Sequence, residues 1–81
     1  MNHDDVLDGV RAVLADTFLD DTLVVDRTTT ALDVPGWDSL AHTIVLLAVE
    51  KRFGVALPAG TDFADVGELV DAVLRAGGGV A

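Results

Sequence analysis

The residues best suited to chemistry lie together in the segment Gly36-Trp37-Asp38-Ser39-Leu40. A serine hydroxyl can act as a nucleophile or accept a covalent group, and Asp38 has the side chain of a helix N-cap. Ser39 would then open a helix, where free backbone N–H groups and the positive end of the helix dipole favour an attached anion. The plainer alternative is that Ser39 is only an N-terminal helix residue.

His42 follows Ser39 by three residues, so the two side chains are expected on the same side of a helix. A Ser-His catalytic pair would indicate a hydrolase. The segment lacks the second glycine of a nucleophile elbow, however, and adjacent helix positions seldom give the geometry of attack. We therefore expect His42 to be a surface histidine near any group that Ser39 carries. Trp37 is expected to anchor the loop to the core, with contact to that group as the alternative.

Helical periodicity lies on both sides of this segment. Asp4 and Asp5 suit a first helical turn, and the apolar spacing that follows predicts a helix over 4–17, on Val6, Leu7, Val10, Val13 and Leu14. The residues after Asp38 predict a second helix from Ser39 to Arg52 or Phe53, closed by Gly54. Its core-facing stripe is predicted to be Val45, Leu46, Val49 and Phe53.

The intervening stretch from Leu19 to Trp37 has no helical period. Its β-branched segment 22–25 has no obvious partner strand, so we expect an extended loop. Leu23, Val25 and Leu32 are expected to anchor this loop to the core. Pro35-Gly36 predicts a turn at its end.

The last third of the chain predicts two more helices. Asp62 could cap a brief third helix through Phe63, and the Asp65/Glu68 spacing is that of a capping box opening a last helix at 66–76. The expected fold is all-α, a four-helix bundle forming one domain over 1–76. Residues 77–81 are expected to form a flexible tail.

Composition excludes several classes of function. The 81 residues include no cysteine and two histidines, too few for a structural zinc site. The net charge of −9 argues against nucleic acid, and no apolar run is long enough to cross a membrane. The acidic N-terminal residues do not form a signal peptide, so the expected location is the cytoplasm. We expect a monomer.

The central motif and its surroundings resemble acyl and peptidyl carrier proteins. Asp38-Ser39-Leu40 opens the second helix, and the similarity continues through the segments 49–55, Leu57-Pro58, 63–66 and Leu69-Val70. It extends over essentially the whole chain, including the first helix and the long loop.

The resemblance implies that a phosphopantetheinyl transferase attaches 4′-phosphopantetheine to Ser39 from coenzyme A with Mg²⁺. The arm's thiol would carry an acyl group as a thioester, so the chain would be a carrier and not an enzyme. Asp38 would cap the helix and help bind the transferase, and Trp37 and His42 could contact the arm. Further partners would be acyl-loading and acyl-processing enzymes such as a ligase, acyltransferase or ketosynthase.

The helix after Ser39 departs from the acidic pattern of many fatty-acid carriers. Ala41 and Ile44 stand where acids are often found, and Lys51 and Arg52 follow. The predicted partner surface is therefore an apolar patch with a basic edge, formed by Leu40, Ile44, Leu47 and Lys51. The Gly36–Leu40 motif resembles free-standing carriers of bacterial secondary metabolism, in polyketide, nonribosomal peptide or extender-unit pathways, which favours polyketide or related secondary-metabolite biosynthesis. The alternatives are an aminoacyl or peptidyl carrier and, in another class, an unmodified helical interaction module.

Overall fold

The computed structural model describes residues 2–58 and 61–78. Three α-helices make up most of this part of the chain: α1 (His3–Phe18), α2 (Ser39–Phe53) and α3 (Val66–Gly78). A single 3-10 turn, Ala31–Asp33, interrupts the long loop between α1 and α2. No strand forms among the described residues, and segment 22–25 is extended loop, as predicted.

The helix ends follow local capping chemistry. Asn2 caps α1 by accepting a hydrogen bond from the Asp5 amide at 2.8 Å, and Asp4 and Asp5 lie in the first turn. α1 ends at Leu19, which adopts the left-handed conformation (φ 53°). Gly54 ends α2 in the same conformation (φ 64°), which glycine adopts without a Cβ penalty. The predicted bounds of α1 were one residue short at each end. α2 begins at Ser39 as predicted and ends at Phe53, the later of the two predicted ends.

An aliphatic core joins the three helices. The predicted stripe of α1 is buried, and α2 contributes Val45 and Val49, with Leu46 and Phe53 partly buried against them. α3 adds Val66, Leu69, Val70 and Val73. α1 packs against both α2 and α3. Because removing apolar surface from water is the main driving force of folding, this cluster holds the domain together.

Aspartate–threonine pairs order the long loop. Asp20 Oδ1 accepts hydrogen bonds from the amide and hydroxyl of Thr22, at 2.9 and 2.6 Å. Asp26 holds Thr28 in the same way, at 2.8 and 2.6 Å. The Thr22 and Thr28 hydroxyls lower the pKa of Asp20 and Asp26, respectively. These local bonds satisfy loop amides that have no ladder or helix to join.

Two of the three predicted loop anchors are confirmed and one is wrong. Val25 is buried and Leu23 packs against the core; Val34, which was not predicted as an anchor, is also buried. Leu32 is 97% exposed, so its predicted anchoring role is wrong. The reason is the 3-10 turn: Asp33 accepts the Thr30 amide at 2.9 Å, and the turn directs Val34 inward instead of Leu32.

The long loop is fastened to the start of α3. The first amides of α3 have no partner within the helix. Val66 N–H donates to the carbonyl of Thr29 and Gly67 N–H to that of Arg27, both at 2.8 Å. Arg27 also pairs with Asp71 on the next turn of α3, at 3.1 Å. The loop therefore caps α3 with its backbone carbonyls, and the Arg27–Asp71 pair adds a second attachment.

The predicted short third helix is absent from the described residues, so the bundle has three α-helices instead of four. Asp62 Oδ1 accepts the Phe63 amide at 2.8 Å, and the chain bends at Ala64-Asp65. Phe63 packs against the core, which fixes this short connection without a helical turn. Half of the predicted capping box forms: Asp65 Oδ1 accepts from the Glu68 amide, whereas Glu68 Oε1 accepts from the amide of Ala64, one residue before Asp65. α3 continues through Gly78, and residues 79–81 lie outside the described range.

Gly9 is a position where α1 and α2 approach closely. A Cβ there would lie 2.9 Å from Phe53 Cε1 and closer still to Cζ. We predict that Gly9→Ala lowers the free energy of unfolding by about 1–3 kcal/mol, because overpacking outweighs the helix propensity of alanine. Urea denaturation measures the change. The loss should shrink in a Phe53→Leu background, and a Gly9→Ala protein as stable as the wild type would contradict the packing.

The Arg27–Asp71 pair should make stability depend on pH. The Arg27 hydrogen bond lowers the pKa of Asp71 in the folded protein. The pair's contribution to the free energy of unfolding is therefore fully present above the pKa that Asp71 has in the unfolded chain. It is lost as pH falls through the lower pKa that Asp71 has in the folded protein. Wild type should be more stable than Asp71→Asn at neutral pH, and denaturation curves should converge in acid. Asp16→Asn, at an exposed carboxylate on α1, is the control. A difference in stability between wild type and Asp71→Asn that persists in acid would contradict the role of the pair.

Candidate functional site

The loop before α2 ends in a tight turn that sets the position of Ser39. Val34 is buried and accepts a hydrogen bond from the Trp37 amide at 3.3 Å. Pro35 and Gly36 occupy the two central positions, and Gly36 has a φ of +88°. This is the pattern of a type II turn, in which the second central residue needs the conformational freedom of glycine. The predicted turn is therefore present.

Asp38 begins α2 as its N-cap. Its Oδ1 accepts the Ala41 amide at 2.9 Å, and its carbonyl accepts the His42 amide at 2.8 Å. Ser39 is the first residue of α2, its side chain is exposed, and it is the only serine in the chain. Helix geometry leaves the amides of Ser39 and Leu40 without partners inside the helix. The Ser39 hydroxyl thus lies in solvent beside free donors.

Trp37 and His42 belong to an aromatic cluster at this end of the molecule. The Trp37 ring lies 5.7 Å from Phe18 and 5.8 Å from Phe63, centroid to centroid, and packs against the core. Trp37 Nε1–H donates to His42 Nδ1 at 3.3 Å. The His42 ring stacks on Phe63 with centroids 4.9 Å apart. The cluster connects α1, the loop before Ser39, α2 and the connection to α3.

His42 is therefore not the surface histidine that its spacing predicted. Its side chain is 25% exposed, and its Nε2 lies 3.5 Å from the carbonyl oxygen of Thr61 and 3.8 Å from Asp62 Oδ1. Both ring nitrogens have neighbours other than Ser39. No hydrogen bond joins His42 to Ser39 in residues 2–58 and 61–78, so the Ser-His arrangement of a hydrolase is not formed there.

An open groove of about 710 Å³ begins beside Ser39. It runs along α2 and is closed on its other side by the connection that follows Gly54. Thr43 and Glu50 give it polar groups, whereas Leu46 and Leu57 give it apolar walls. Glu50 Oε2 accepts the Leu57 amide at 2.8 Å, which holds the connection against α2. Trp37, Asp38, Ser39 and His42 also line the groove, so six of its polar or aromatic side chains lie on α2 or just before it.

The predicted partner-binding residues lie on the solvent side of α2. Leu40 is 71% exposed, Leu47 60% and Ile44 46%, whereas Val45 and Val49 are fully buried on the opposite side. Lys51 is also exposed and lies in the last turn. At 1.5 Å per residue it is about 18 Å along the helix from Ser39. The patch is therefore apolar near Ser39 and basic at its far end.

Two other classes of site are not seen in the described part of the chain. No group of three or more His, Cys, Asp or Glu side chains is arranged there to hold a metal ion. None of the described helices has the length and apolar character needed to cross a bilayer.

Comparison with known proteins supports a carrier fold. No protein-family model matches the sequence, and no curated protein does either. A solution NMR structure of a holo acyl carrier protein from Geobacter metallireducens matches with a TM-score of 0.83 and 28% sequence identity. The match covers 93% of this chain and 88% of that protein. Because the similarity of fold extends over nearly all of both chains, this chain has the fold of an acyl carrier protein, which supports its assignment to that family.

Proposed function

We propose that the chain is a carrier that holds 4′-phosphopantetheine on Ser39. The observation that carries this proposal is the placement of Ser39. It is an exposed hydroxyl on the first residue of a capped helix, beside an open groove, in a chain with the acyl carrier fold. The chain offers no other serine and no cysteine.

The loading reaction needs a separate transferase, coenzyme A and Mg²⁺. The Ser39 oxygen forms a bond to the phosphorus that bears the pantetheine of coenzyme A. The bond from that phosphorus to the adenylate side of the pyrophosphate breaks, so 3′,5′-ADP leaves, and a base of the transferase takes the hydroxyl proton. The chain's part is to present the hydroxyl where nothing of its own fold obstructs it.

The site suits the arm that would be attached. The phosphodiester would lie beside the free Ser39 and Leu40 amides, where the helix dipole favours an anion by about 0.3–1 kcal/mol at an exposed site. The groove offers hydroxyl, carboxylate and apolar walls to a chain that contains both amides and methylenes. When bound, the arm supplies a thiol that carries acyl groups as thioesters.

Asp38 has two proposed tasks. It fixes the first turn of α2 through the Ala41 amide, and its exposed carboxylate adds negative charge beside Ser39. An enzyme that binds the phosphates of coenzyme A must carry cationic groups near its reaction centre. Asp38 therefore complements the transferase, although its charge also opposes the phosphodiester.

The exposed face of α2 is the proposed contact surface for acyl-loading and acyl-processing enzymes. Leu40, Ile44 and Leu47 supply apolar area, and Lys51 supplies a positive charge that an acidic partner group would meet. Such a surface differs from one that is acidic throughout. It supports a role in polyketide or related secondary metabolism instead of general fatty-acid synthesis.

Alternative cargo and an alternative class remain distinct proposals. Aminoacyl or peptidyl cargo would use the same Ser39 and the same groove, since the loading enzyme chooses the cargo. An unmodified interaction module would use the α2 face alone. We further propose a single carrier domain over 1–76 that acts as a cytoplasmic monomer and contacts neither nucleic acid nor a membrane.

Loading of Ser39 tests the carrier function directly. Incubation with coenzyme A, Mg²⁺ and a broad-specificity phosphopantetheinyl transferase should add one phosphopantetheine mass to the intact protein. Ser39→Ala should abolish the increment. Thr43→Val, which removes the hydroxyl one turn further along α2, should retain it. A wild-type protein without the increment, or an increment that survives Ser39→Ala, would end the proposal.

Ile44→Glu tests the contact surface. Because Ile44 is partly exposed and lies outside the buried cluster, the variant should stay folded, with a circular dichroism melting curve close to that of wild type. When an acyl-loading enzyme binds, the glutamate would be buried without a partner in the interface. The variant should therefore lower kcat/KM for that enzyme by about tenfold or more. Val24→Glu adds the same charge at an exposed position of the long loop and serves as the control, which should keep the kcat/KM of wild type. An unfolded Ile44→Glu protein would place Ile44 in the core.

A further inference from the structure

His42 joins three separate parts of the chain around the groove. Its Nδ1 accepts the hydrogen bond of Trp37 Nε1 at 3.3 Å, from the loop before Ser39. Its Nε2 lies 3.5 Å from the Thr61 carbonyl oxygen, in the connection to α3, and its ring stacks on Phe63. His42 itself lies on α2, one turn after Ser39. One side chain thus ties together the segments that border the Ser39 end of the groove.

These contacts require one protonation state. An indole N–H can only donate, so His42 Nδ1 must lack a proton when it bonds to Trp37. The neutral ring then carries its proton on Nε2, where it faces the Thr61 carbonyl. A single tautomer therefore serves both neighbours. An imidazolium would have a donor on each nitrogen, and the hydrogen bond from Trp37 would be lost.

We propose that neutral His42 is a positioning residue for the modification of Ser39. By holding Trp37 and segment 61–63, it keeps the start of α2 and the adjacent groove in the arrangement that a transferase meets. Protonation of His42 releases Trp37 and loosens this arrangement. The positioning role rests on the proposed function, but the link between His42 and Trp37 can be measured without it.

Three carboxylates line the groove that also contains His42, and one of them lies close enough to stabilise a protonated ring. Asp38 from the start of α2, Glu50 from its other end and Asp62 from the connection all line the same groove. Asp62 Oδ1 already lies 3.8 Å from His42 Nε2. An imidazolium would therefore keep a carboxylate beside Nε2, whereas its Nδ1–H could no longer accept the hydrogen bond of Trp37.

The composition of the chain makes this measurable by fluorescence. Trp37 is the only tryptophan, and His3 and His42 are the only histidines. In the unmodified wild-type protein, Trp37 emission should change when the solution is acidified enough to protonate His42, because the Trp37 hydrogen bond to Nδ1 is then lost. His3→Gln should show the same transition. His42→Asn should show none, because its Oδ1 can take the place of Nδ1 as a non-titrating acceptor. Far-UV circular dichroism should stay constant throughout.

Loading kinetics at pH 8 test the positioning role. His42→Asn keeps an acceptor for Trp37 and should load with a KM within about twofold of wild type. His42→Gln, which favours the Thr61 contact, and His42→Leu, which keeps only the packing on Phe63, should raise KM for the protein by about fivefold with kcat unchanged. Circular dichroism melting curves of all three variants show whether each is folded.

The outcomes separate this inference from the proposed function. A wild-type fluorescence profile that is flat, or one unchanged by His42→Asn, overturns the link between His42 and Trp37. Equal loading of wild type and folded His42→Leu overturns the positioning role alone. A wild-type protein that is never loaded overturns the proposed function, and the positioning role with it.

Discussion

The packing of α1 against both other helices is the constraint on which the rest of the structure depends. Val6, Val10 and Leu14 are fully buried along α1, and α2 and α3 each lie against this helix. The backbones of α2 and α3 approach each other closely at hardly any position. Side chains of the two helices and of the connection between them, including Leu57 and Phe63, pack against the core there. Most of the fully buried side chains of this core are valines, whose β-branching leaves them few rotamers to exchange.

The groove follows from that arrangement. Since α2 is held from one side by α1, its other side is left to the connection after Gly54, and Glu50 fastens that connection through the Leu57 amide. Ser39 lies at one end of the resulting groove because a type II turn and the Asp38 cap start α2 there. The groove is thus a consequence of how a three-helix chain of this length packs. What is specific to this chain is the set of side chains that line it.

The sequence predicted the parts of the fold that local pattern controls. Apolar spacing placed α1 and α2 within one residue, and Asp38, Gly54 and Pro35-Gly36 marked the correct boundaries. It could not predict the bonds from Val66 and Gly67 to carbonyls of the long loop, because those pair backbone groups far apart in the chain. Leu32 and the short helix at Asp62-Phe63 failed for a related reason. In both, a local polar bond competed with the apolar signal and prevailed.

At the site, spacing placed His42 beside Ser39 but could not show that Trp37 and Phe63 would enclose it.

The basic and the apolar residues on the exposed face of α2 are not equally good evidence for a partner surface. Lys51 and Arg52 lie in the last turn, where cations are favoured by the helix dipole whether or not a partner exists. They have a structural reason to be there. Leu40 and Leu47 have none: they are exposed, they are not part of the buried core, and water contact makes them unfavourable. On a chain whose charge of −9 keeps it dispersed, such a patch can be tolerated. The apolar side chains, more than the basic ones, therefore favour a partner surface on α2.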